Sequence, residues 1–378
     1  GIGMRVICTS ATSITSTTGA ITIYGYGTDA TTNGNLWRTA TMISGSVSIK
    51  SVSGNIAVTG EAVFASPVND KEGLVIADGS AICSQTGNIT LNGTNTLESS
   101  GQYSNSISFA AANAANSIRI GYDGTNAYSG NITIEGNSIY QRSTHAGAGS
   151  IAVQTTGTLT IQPTGTAFTY MRAGNDGAGG SLTFDNDWNF GTNLGGFVYG
   201  KTTNTTGLTY SNALTTRGPI TIYAGAIVQN GAFSTTSASG HITLLSKTHI
   251  TNANATSITT QGGNVLFASN VDDATDGEST TNGYIQLRYG ITVNSNGGNI
   301  TFGGGNTLGS DYSLGSSVEA YTEGIRFDGV IALNSGGGNI SLRGKSYAMG
   351  VQLGYGASGV GFYFFSAATG TINSGAGT

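Results

Sequence analysis

The sequence predicts an all-β protein, folded as a parallel β-helix (β-solenoid). The first observation is a short phrase that occurs twice, as Gly297–Phe302 and again as Gly337–Leu342. The second is that the segments before these copies also match, because Ile291–Ser295 precedes one and Ile331–Ser335 precedes the other. Short alternating runs that recur at a fixed interval, each ended by Gly or Asn, are typical of a solenoid.

The composition favours one continuous solenoid domain over residues 1–378 rather than two or three globular domains. The chain has 61 Gly and only 3 Pro, so its glycine serves turns and not a proline-rich linker. Hydrophobic residues make up 38% and recur at period two, as in pleated strands. Because the sequence begins and ends inside this pattern, we interpret it as a mature form or a section of a longer chain.

The repeated phrase has a direct interpretation as a strand. Two apolar residues flank one small polar residue, so alternate side chains point to opposite faces. In the last copy this predicts that Ile340 and Leu342 point inward and Ser341 outward. The Gly and Asn before each strand are expected to take the positive φ of a corner. Further copies begin at Gly19, Gly45, Gly54, Gly87, Gly130, Gly149, Gly157, Gly180, Gly218, Gly240 and Gly263.

The strands are too short, and too regularly preceded by Gly, for a sandwich of antiparallel hairpins. Coiling the chain lets parallel strands pair without crossover helices, since each strand meets its counterpart one coil away. The intervals from Asn88 to Asn131 and from Asn299 to Asn339 are interpreted as two coils of about 20 residues, which predicts roughly 18–19 coils. Irregular excursions are expected at Tyr26–Thr39, Ser66–Glu72, Asn175–Lys201 and Ser269–Asn282.

Charge and cysteine content exclude several classes of partner. The net charge of −5 and 14 scattered Lys and Arg residues, with no basic run, argue against nucleic acid. No stretch approaches the 18 or so apolar residues that a membrane span needs. Cys8 and Cys83 lie far apart and show no metal-like spacing, so both are expected to be small buried core residues.

The segments Ile285–Gly304 and Ile325–Gly344 share the core Asn-Ser-x-Gly-Gly-Asn-Ile-Thr/Ser. In this they resemble the repeats of large secreted bacterial adhesins of the filamentous-haemagglutinin type, and the resemblance extends over most of the chain. It implies that the β-helix is right-handed, that the protein is secreted to the extracellular space or cell surface, and that it serves attachment or biofilm formation.

An enzyme is the alternative, because polysaccharide lyases and hydrolases also use parallel β-helices. Their sites need carboxylates or basic residues on adjacent coils of one face. Here the acidic groups fall in glycine-rich loops, where solvated charges are expected; a calcium site at the first of them is the rival interpretation, since hard cations take clustered oxygen ligands. The two groups are Asp272, Asp273, Asp276 and Glu278, and then Asp176, Asp185 and Asp187.

The histidines, His145, His241 and His249, are too few and too separated to build a catalytic triad. His241 stands where other copies of the phrase have Asn, which predicts a substituted turn residue. The sequence therefore predicts no catalytic, cofactor-binding or metal-binding residue, no cofactor, and no enzymatic activity.

We accordingly expect a structural or adhesive extracellular protein that forms a rod or filament. Its expected partner is itself, by head-to-tail or lateral assembly, and its further ligands are surface glycans or host or neighbouring cell surfaces. The alternative to this function is a carbohydrate-active enzyme or a glycan-binding module.

Overall fold

The structure is a computed structural model. It describes residues 4–28, 38–63, 71–98, 104–111, 117–141, 150–172, 188–272, 283–305, 312–314, 323–346, 362–364 and 369–375. Throughout these ranges the regular elements are β-strands, and every pair of named strands is parallel. None of these residues forms a helix that is long and apolar enough to cross a membrane.

The contacts within the chain divide it into two compact units, Gly1–Thr206 and Gly207–Thr378. The interpretation of residues 1–378 as one continuous domain stays a prediction.

The first unit contains sixteen strands in two sheets. The strands are β1 (Met4–Ser16), β2 (Ile21–Thr28), β3 (Arg38–Ser51), β4 (Ile56–Val63), β5 (Lys71–Ala77), β6 (Ala81–Ser84), β7 (Ile89–Asn95), β8 (Ile107–Ala110), β9 (Ile118–Ile120), β10 (Ile132–Glu135), β11 (Ser138–Gln141), β12 (Ile151–Val153), β13 (Thr158–Gln162), β14 (Tyr170–Arg172), β15 (Trp188–Asn189) and β16 (Gly196–Tyr199). One sheet has the order β14-β11-β8-β5-β3-β6-β9-β12-β15 with β1 on β3, and the other runs β2-β4-β7-β10-β13-β16.

The second unit continues this style with shorter strands. They are β17 (Leu208–Tyr210), β18 (Leu214–Thr216), β19 (Ile220–Ala224), β20 (Ile227–Gln229), β21 (Phe233–Thr235), β22 (Ile242–Ser246), β23 (Ile250–Asn252), β24 (Thr256–Thr259), β25 (Val265–Ser269), β26 (Ile285–Leu287), β27 (Ile291–Asn294), β28 (Ile300–Gly304), β29 (Ser313–Leu314), β30 (Ile325–Phe327), β31 (Ile331–Asn334), β32 (Ile340–Leu342), β33 (Gly344–Lys345), β34 (Phe362–Phe364) and β35 (Gly370–Asn373). Three series pair within it, β19-β22-β25-β28-β32, β17-β20-β23-β26-β30-β34 and β18-β21-β24-β27-β31-β35, and β29 pairs with β33.

Successive repeats contribute strands to the sheets in a constant order. In the second unit β17, β18 and β19 each start one series, and β20, β21 and β22 extend the same three series in the same order. The long β3 does the work of two strands, since its first half pairs with β5 and its second half with β6. One repeat therefore consists of three strands, each paired with its counterpart in the next repeat.

The apolar residues of the phrase form the core, as predicted. Ile56, Ile89 and Ile132 follow one another across adjacent strands and are buried, whereas the small residue after each Ile is only partly buried. Ile300 and Phe302 are likewise buried and pair in register with Ile340 and Leu342. The last two are only half-buried, because β32 is the last strand of its series.

The predicted coil of about 20 residues is wrong for the two intervals on which it was based, and the count of roughly 18–19 coils is wrong with it, although repeats near that length occur at the start of the second unit, where Ile220 pairs with Ile242. Residues Asn88 and Asn131 lie on neighbouring strands, 43 positions apart, and so do Asn299 and Asn339, 40 positions apart. An interval of about 40 residues is therefore one repeat and not two. We call β2-β4-β7-β10-β13-β16 the principal series of the first unit and β19-β22-β25-β28-β32 that of the second, so the described residues provide six strands and five.

The predicted positive φ of the glycine holds at some positions and not at others. Gly297 and Gly337, the first residues of the two copies, have positive φ, at 113° and 119°, whereas Gly298 and Gly338, which directly precede the asparagine, do not. A Cβ on Gly298 would lie 2.5 Å from the carbonyl carbon of Gly263 on the neighbouring strand. The phrase therefore requires glycine because the next backbone lies where a side chain would be.

Part of the segment Asn175–Lys201 belongs to the core rather than to an excursion. Trp188 in β15 is buried, and its ring meets Phe109 edge-on at a centroid distance of 5.1 Å. Gly196–Tyr199 forms β16 of the principal series. Lys71 and Glu72, at the end of another predicted excursion, are buried in β5.

Candidate functional site

A line of side-chain hydrogen bonds follows the corner before the principal series. In the first unit the Asn88 amide N–H donates to Asn55 Oδ1 at 2.9 Å, and the Asn131 N–H donates to Asn88 Oδ1 at 2.9 Å. The Thr158 N–H then donates to Asn131 Oδ1 at 2.8 Å. Each asparagine thus accepts the backbone donor of the equivalent residue in the next repeat, which fixes the register at that corner.

The second unit has the same line, and it begins at a histidine. The Asn264 N–H donates to Nδ1 of His241 at 2.9 Å. Asn264 Oδ1 accepts from Asn299 N–H at 2.9 Å, and Asn299 Oδ1 accepts from Asn339 N–H at 2.8 Å. His241 therefore occupies the asparagine position, as the sequence predicted, and it must present a nitrogen lone pair to do so.

A second line of hydroxyl groups lies inside the same corner. Ser84 Oγ donates to the Gly54 carbonyl at 2.8 Å and accepts the Gly87 N–H at 3.0 Å. In the second unit Ser295 Oγ donates to the Gly298 carbonyl at 2.5 Å. These hydroxyls are buried, so they satisfy backbone groups that water cannot reach. Other members are Thr155, Thr216, Thr235, Thr260 and Ser335.

The second unit ends in strands that have a neighbour on one side only among the described residues. These strands are β32, β34 and β35. They carry more exposed apolar surface than the strands before them, because Phe364 is 44% and Ile372 is 47% exposed while Phe327 and Leu333, in the preceding repeat, are fully buried. In the first unit β2 likewise pairs with β4 alone. Such strand edges can accept a further parallel strand.

A polar pocket lies on the first unit. Its volume is about 300 Å³, and we call it the Lys50 pocket after its cation. Thr15, Lys50 and Cys83 are register partners on β1, β3 and β6, so they follow one another across the outward face of the sheet. The other side chains that carry its chemistry are Val52, Gln85 and Tyr128.

One side of the pocket is held by a hydrogen-bonded turn. Tyr128 Oη donates to Asp123 Oδ2 at 2.6 Å, and Asp123 Oδ1 accepts the N–H groups of Thr125 and Asn126, both at 2.8 Å. The Tyr128 hydroxyl, followed by the Asn126 and Thr125 N–H groups, lowers the pKa of Asp123 to about 2. The same bond to Asp123, with burial, raises the pKa of Tyr128 to about 12. Tyr128 is therefore held as a neutral donor to a charged carboxylate.

The thiol of Cys83 is enclosed beneath this turn. Cys83 is 1% exposed and is a free cysteine whose Sγ contacts the Tyr122 carbonyl oxygen at 3.0 Å. Burial raises its pKa to about 11, although the charges of Lys50 and Arg119 act in the opposite direction. It is small and buried, as predicted, although the turn above the outward face of the sheet encloses it rather than the inward apolar residues. The side chain of Cys8 lies outside the described part of the structure.

Of the seven acidic residues that the sequence analysis singled out, the structure describes Asp272. Asp272 is exposed, and its Oδ2 lies 3.8 Å from Lys247 Nζ. The described ranges contain no group of three or more His, Cys, Asp or Glu side chains that could hold a metal ion. Asp273, Asp276, Glu278, Asp176, Asp185 and Asp187 lie outside them, so the calcium hypothesis for Asp272, Asp273 and Asp276 stays a hypothesis.

The structure describes one of the other two histidines. His249 stacks on Tyr284 at a centroid distance of 5.1 Å, and His145 lies outside the described ranges.

Sequence reasoning missed the Lys50 pocket. Its members come from different repeats and become neighbours only through the strand register. The sequence does hold one signal for this pocket. Lys50 and Arg119 are two of only 14 basic residues in the chain, and both lie within segments that show the strand pattern.

Comparison of the chain with protein-family models, with curated proteins and with solved structures gives no match.

Proposed function

We propose that the chain is a structural and adhesive extracellular protein, built as a right-handed parallel β-solenoid with three strands in each turn. The support for the solenoid is the order of the strands. Successive repeats extend the same three series in the same sequence, and the described strands pair in parallel without crossover helices. In a solenoid this pattern arises because one turn of the chain passes each face once.

The proposed location is the cell surface or the extracellular space. The surface is polar but nearly uncharged, since charged residues make up 9% of the chain and the net charge is −5. Weak charge reduces the repulsion that keeps copies of a protein apart. Together with the likeness of its repeats to secreted adhesins, this favours a rod that stacks with further copies.

The observation that carries the proposal is the unfinished edge of the second unit. Ile340 and Leu342 stack on Ile300 and Phe302 but remain half-buried. A further parallel strand with the same phrase would complete their burial and hydrogen-bond the backbone groups of β32 that face away from β28, where the structure describes no neighbouring strand. We propose that a second copy of the chain supplies this strand from β2, which bears the same phrase.

Such a contact joins two different surfaces of the same molecule, so it does not close and generates a filament. Sedimentation velocity of the 378-residue chain at micromolar concentration should show concentration-dependent growth, and negative-stain images should show rods that lengthen. A chain that remains a monomer at all concentrations would refute the assembly.

Matched variants on one strand sharpen the test. Ile340→Asp places a carboxylate at the proposed contact and should abolish growth while the far-UV circular dichroism stays unchanged. Ser341→Asp adds the same charge on the outward face of the same strand and should leave growth intact. If both variants assemble like the wild type, β32 is not the contact.

The enzyme alternative finds less support in the described residues. Asp123 is the carboxylate beside the Lys50 pocket, and it already accepts three hydrogen bonds. A hydrolase would need a second carboxylate placed across the substrate from the first. The pocket therefore favours binding over catalysis.

A further inference from the structure

The Lys50 pocket has a cation that is not neutralised by its surroundings. In the part of the chain that the structure describes, no hydrogen bond or ion pair engages the Lys50 ammonium group. Arg119 and Asp123 are the charged groups that act, together with Lys50, on the adjacent thiol of Cys83. Two cations and one carboxylate leave this pocket with a net positive charge, although the whole chain carries −5.

The single negative charge is not available to pair with Lys50 as a close partner. Asp123 is directed to the Tyr128 hydroxyl and to two backbone N–H groups of its own turn. Arg119 Nη1 donates to the Asp123 main-chain carbonyl at 3.4 Å, and Arg119 Nε is buried without a partner. The pocket thus presents a positive charge that an anionic group could neutralise.

The remaining lining has the character of a sugar site. The Tyr128 hydroxyl is occupied, because it donates to Asp123 and also bonds the Gln85 side chain. Its ring is therefore held in place at the pocket wall. The exposed hydroxyls of Thr15 and Thr17 supply hydrogen-bond donors and acceptors at the opposite edge. A sugar has an apolar ring face and hydroxyl groups around its edge. A pocket that combines one aromatic side chain with polar groups can contact both parts of such a molecule.

We propose that the Lys50 pocket binds a carboxylate-bearing monosaccharide unit of an acidic glycan. The carboxylate pairs with the Lys50 ammonium group, the sugar ring packs on Tyr128, and sugar hydroxyls bond Thr15 and Thr17. The volume of about 300 Å³ lies at the small end of ligand pockets, which fits one sugar unit and not a long segment. This site would give the adhesive function a ligand, and it does not depend on end-to-end assembly.

The test uses two sugars that differ only at C6, methyl β-D-glucuronide and methyl β-D-glucoside. The first carries a carboxylate there and the second a hydroxymethyl group. Titration of the full chain, followed by calorimetry or by shifts of Tyr128 ring resonances, should give at least tenfold tighter binding of the glucuronide. Raising the salt concentration should weaken glucuronide binding and leave the glucoside unaffected.

The variant Lys50→Met should reduce the preference for glucuronide to about onefold, whereas a general disturbance of the pocket would weaken both sugars equally. Lys247→Met, which removes a lysine from the other unit, is the matched control and should keep the preference. The proposal is overturned if the wild type binds both sugars equally, if Lys50→Met retains the preference, or if neither sugar binds at 20 mM, about the weakest affinity that such a site would show. The non-assembling Ile340→Asp variant should bind as the wild type does, so failure of assembly and failure of binding are distinguishable.

Discussion

The glycine at the start of the strand phrase should be irreplaceable for a steric reason, and Gly298→Ala tests this. The φ of Gly298 is one that alanine adopts freely, so backbone strain predicts little effect. The added Cβ, however, would lie 2.5 Å from the carbonyl carbon of Gly263 and closer still to its oxygen. Carbon atoms pack at about 3.5–4.0 Å, so a gap of roughly 1 Å must open between the two strands.

The loss of stability in Gly298→Ala depends on which atoms must move to make room for the new Cβ. Overpacked cores lose about 1–3 kcal/mol when side chains can adjust. Here the obstacle is backbone, and separating it would lengthen the Val265 N–H bond to the Asn299 carbonyl and the Asn299 N–H bond to Asn264 Oδ1, now 2.8 and 2.9 Å. Weakened hydrogen bonds each lose up to about 1 kcal/mol. We therefore expect destabilisation of about 3 kcal/mol, at the upper end of the overpacking range.

Gly207→Ala is the matched control in the same unit. Gly207 also has a φ that alanine adopts, but the nearest atom to its added Cβ is the Ala226 oxygen at 3.6 Å, an ordinary contact. Restricting the unfolded chain should stabilise this variant by about 0.4–1 kcal/mol. Urea unfolding followed by far-UV circular dichroism gives the comparison. Equal unfolding midpoints for the two variants would refute the steric explanation.

Two further predictions concern the inward face and the Asp123 turn. Ile242→Asp places a carboxylate among buried apolar residues and should lower the unfolding free energy by about 3 kcal/mol or more. Thr243→Asp, on the outward face of the same strand, should change it by less than about 1 kcal/mol. Equal unfolding midpoints in urea would contradict this assignment of inward and outward residues. Tyr128→Phe removes the main hydrogen bond to Asp123, so the pKa of Asp123, observed by NMR titration of its carboxyl carbon, should rise from about 2 towards its ordinary value of 3.8. Because that pKa is depressed in the folded state, the Asp123 contribution to stability is present above about pH 4 and is lost as the pH falls towards 2. This loss should be smaller in the variant, which keeps the Thr125 and Asn126 N–H bonds to Asp123. An unchanged pKa would contradict the assigned cause.

The sequence is informative about the fold wherever the phrase is complete. Alternation of Ile, a small polar residue and a second apolar residue predicted buried and outward positions correctly, for example at Ile300 and Phe302. It also placed His241 in the asparagine line. These features are local, so a few residues suffice to determine them.

Features that depend on stacking could not be predicted in the same way. The intervals of 43 and 40 residues were divided into two coils because the sequence does not show that three strands and their connections make one repeat there. The steric constraint on Gly298 was not predicted because it comes from Gly263, a residue 35 positions before it. The Lys50 pocket was missed for the same reason, since Thr15, Lys50 and Cys83 become neighbours only after the register is known.

The line of side-chain hydrogen bonds through the corner asparagines implies that the protein tolerates insertions between successive repeats. Neighbouring members are separated by as few as 23 residues, from His241 to Asn264, and by as many as 43, from Asn88 to Asn131, yet the strands that follow them pair in the same register. Closing a loop of twice the length costs only about 0.6 kcal/mol, no more than one such hydrogen bond contributes. Related sequences can therefore lengthen or replace the segments that connect the strands while the strand pairing is preserved. A foreign peptide could be inserted into such a connecting segment in the same way.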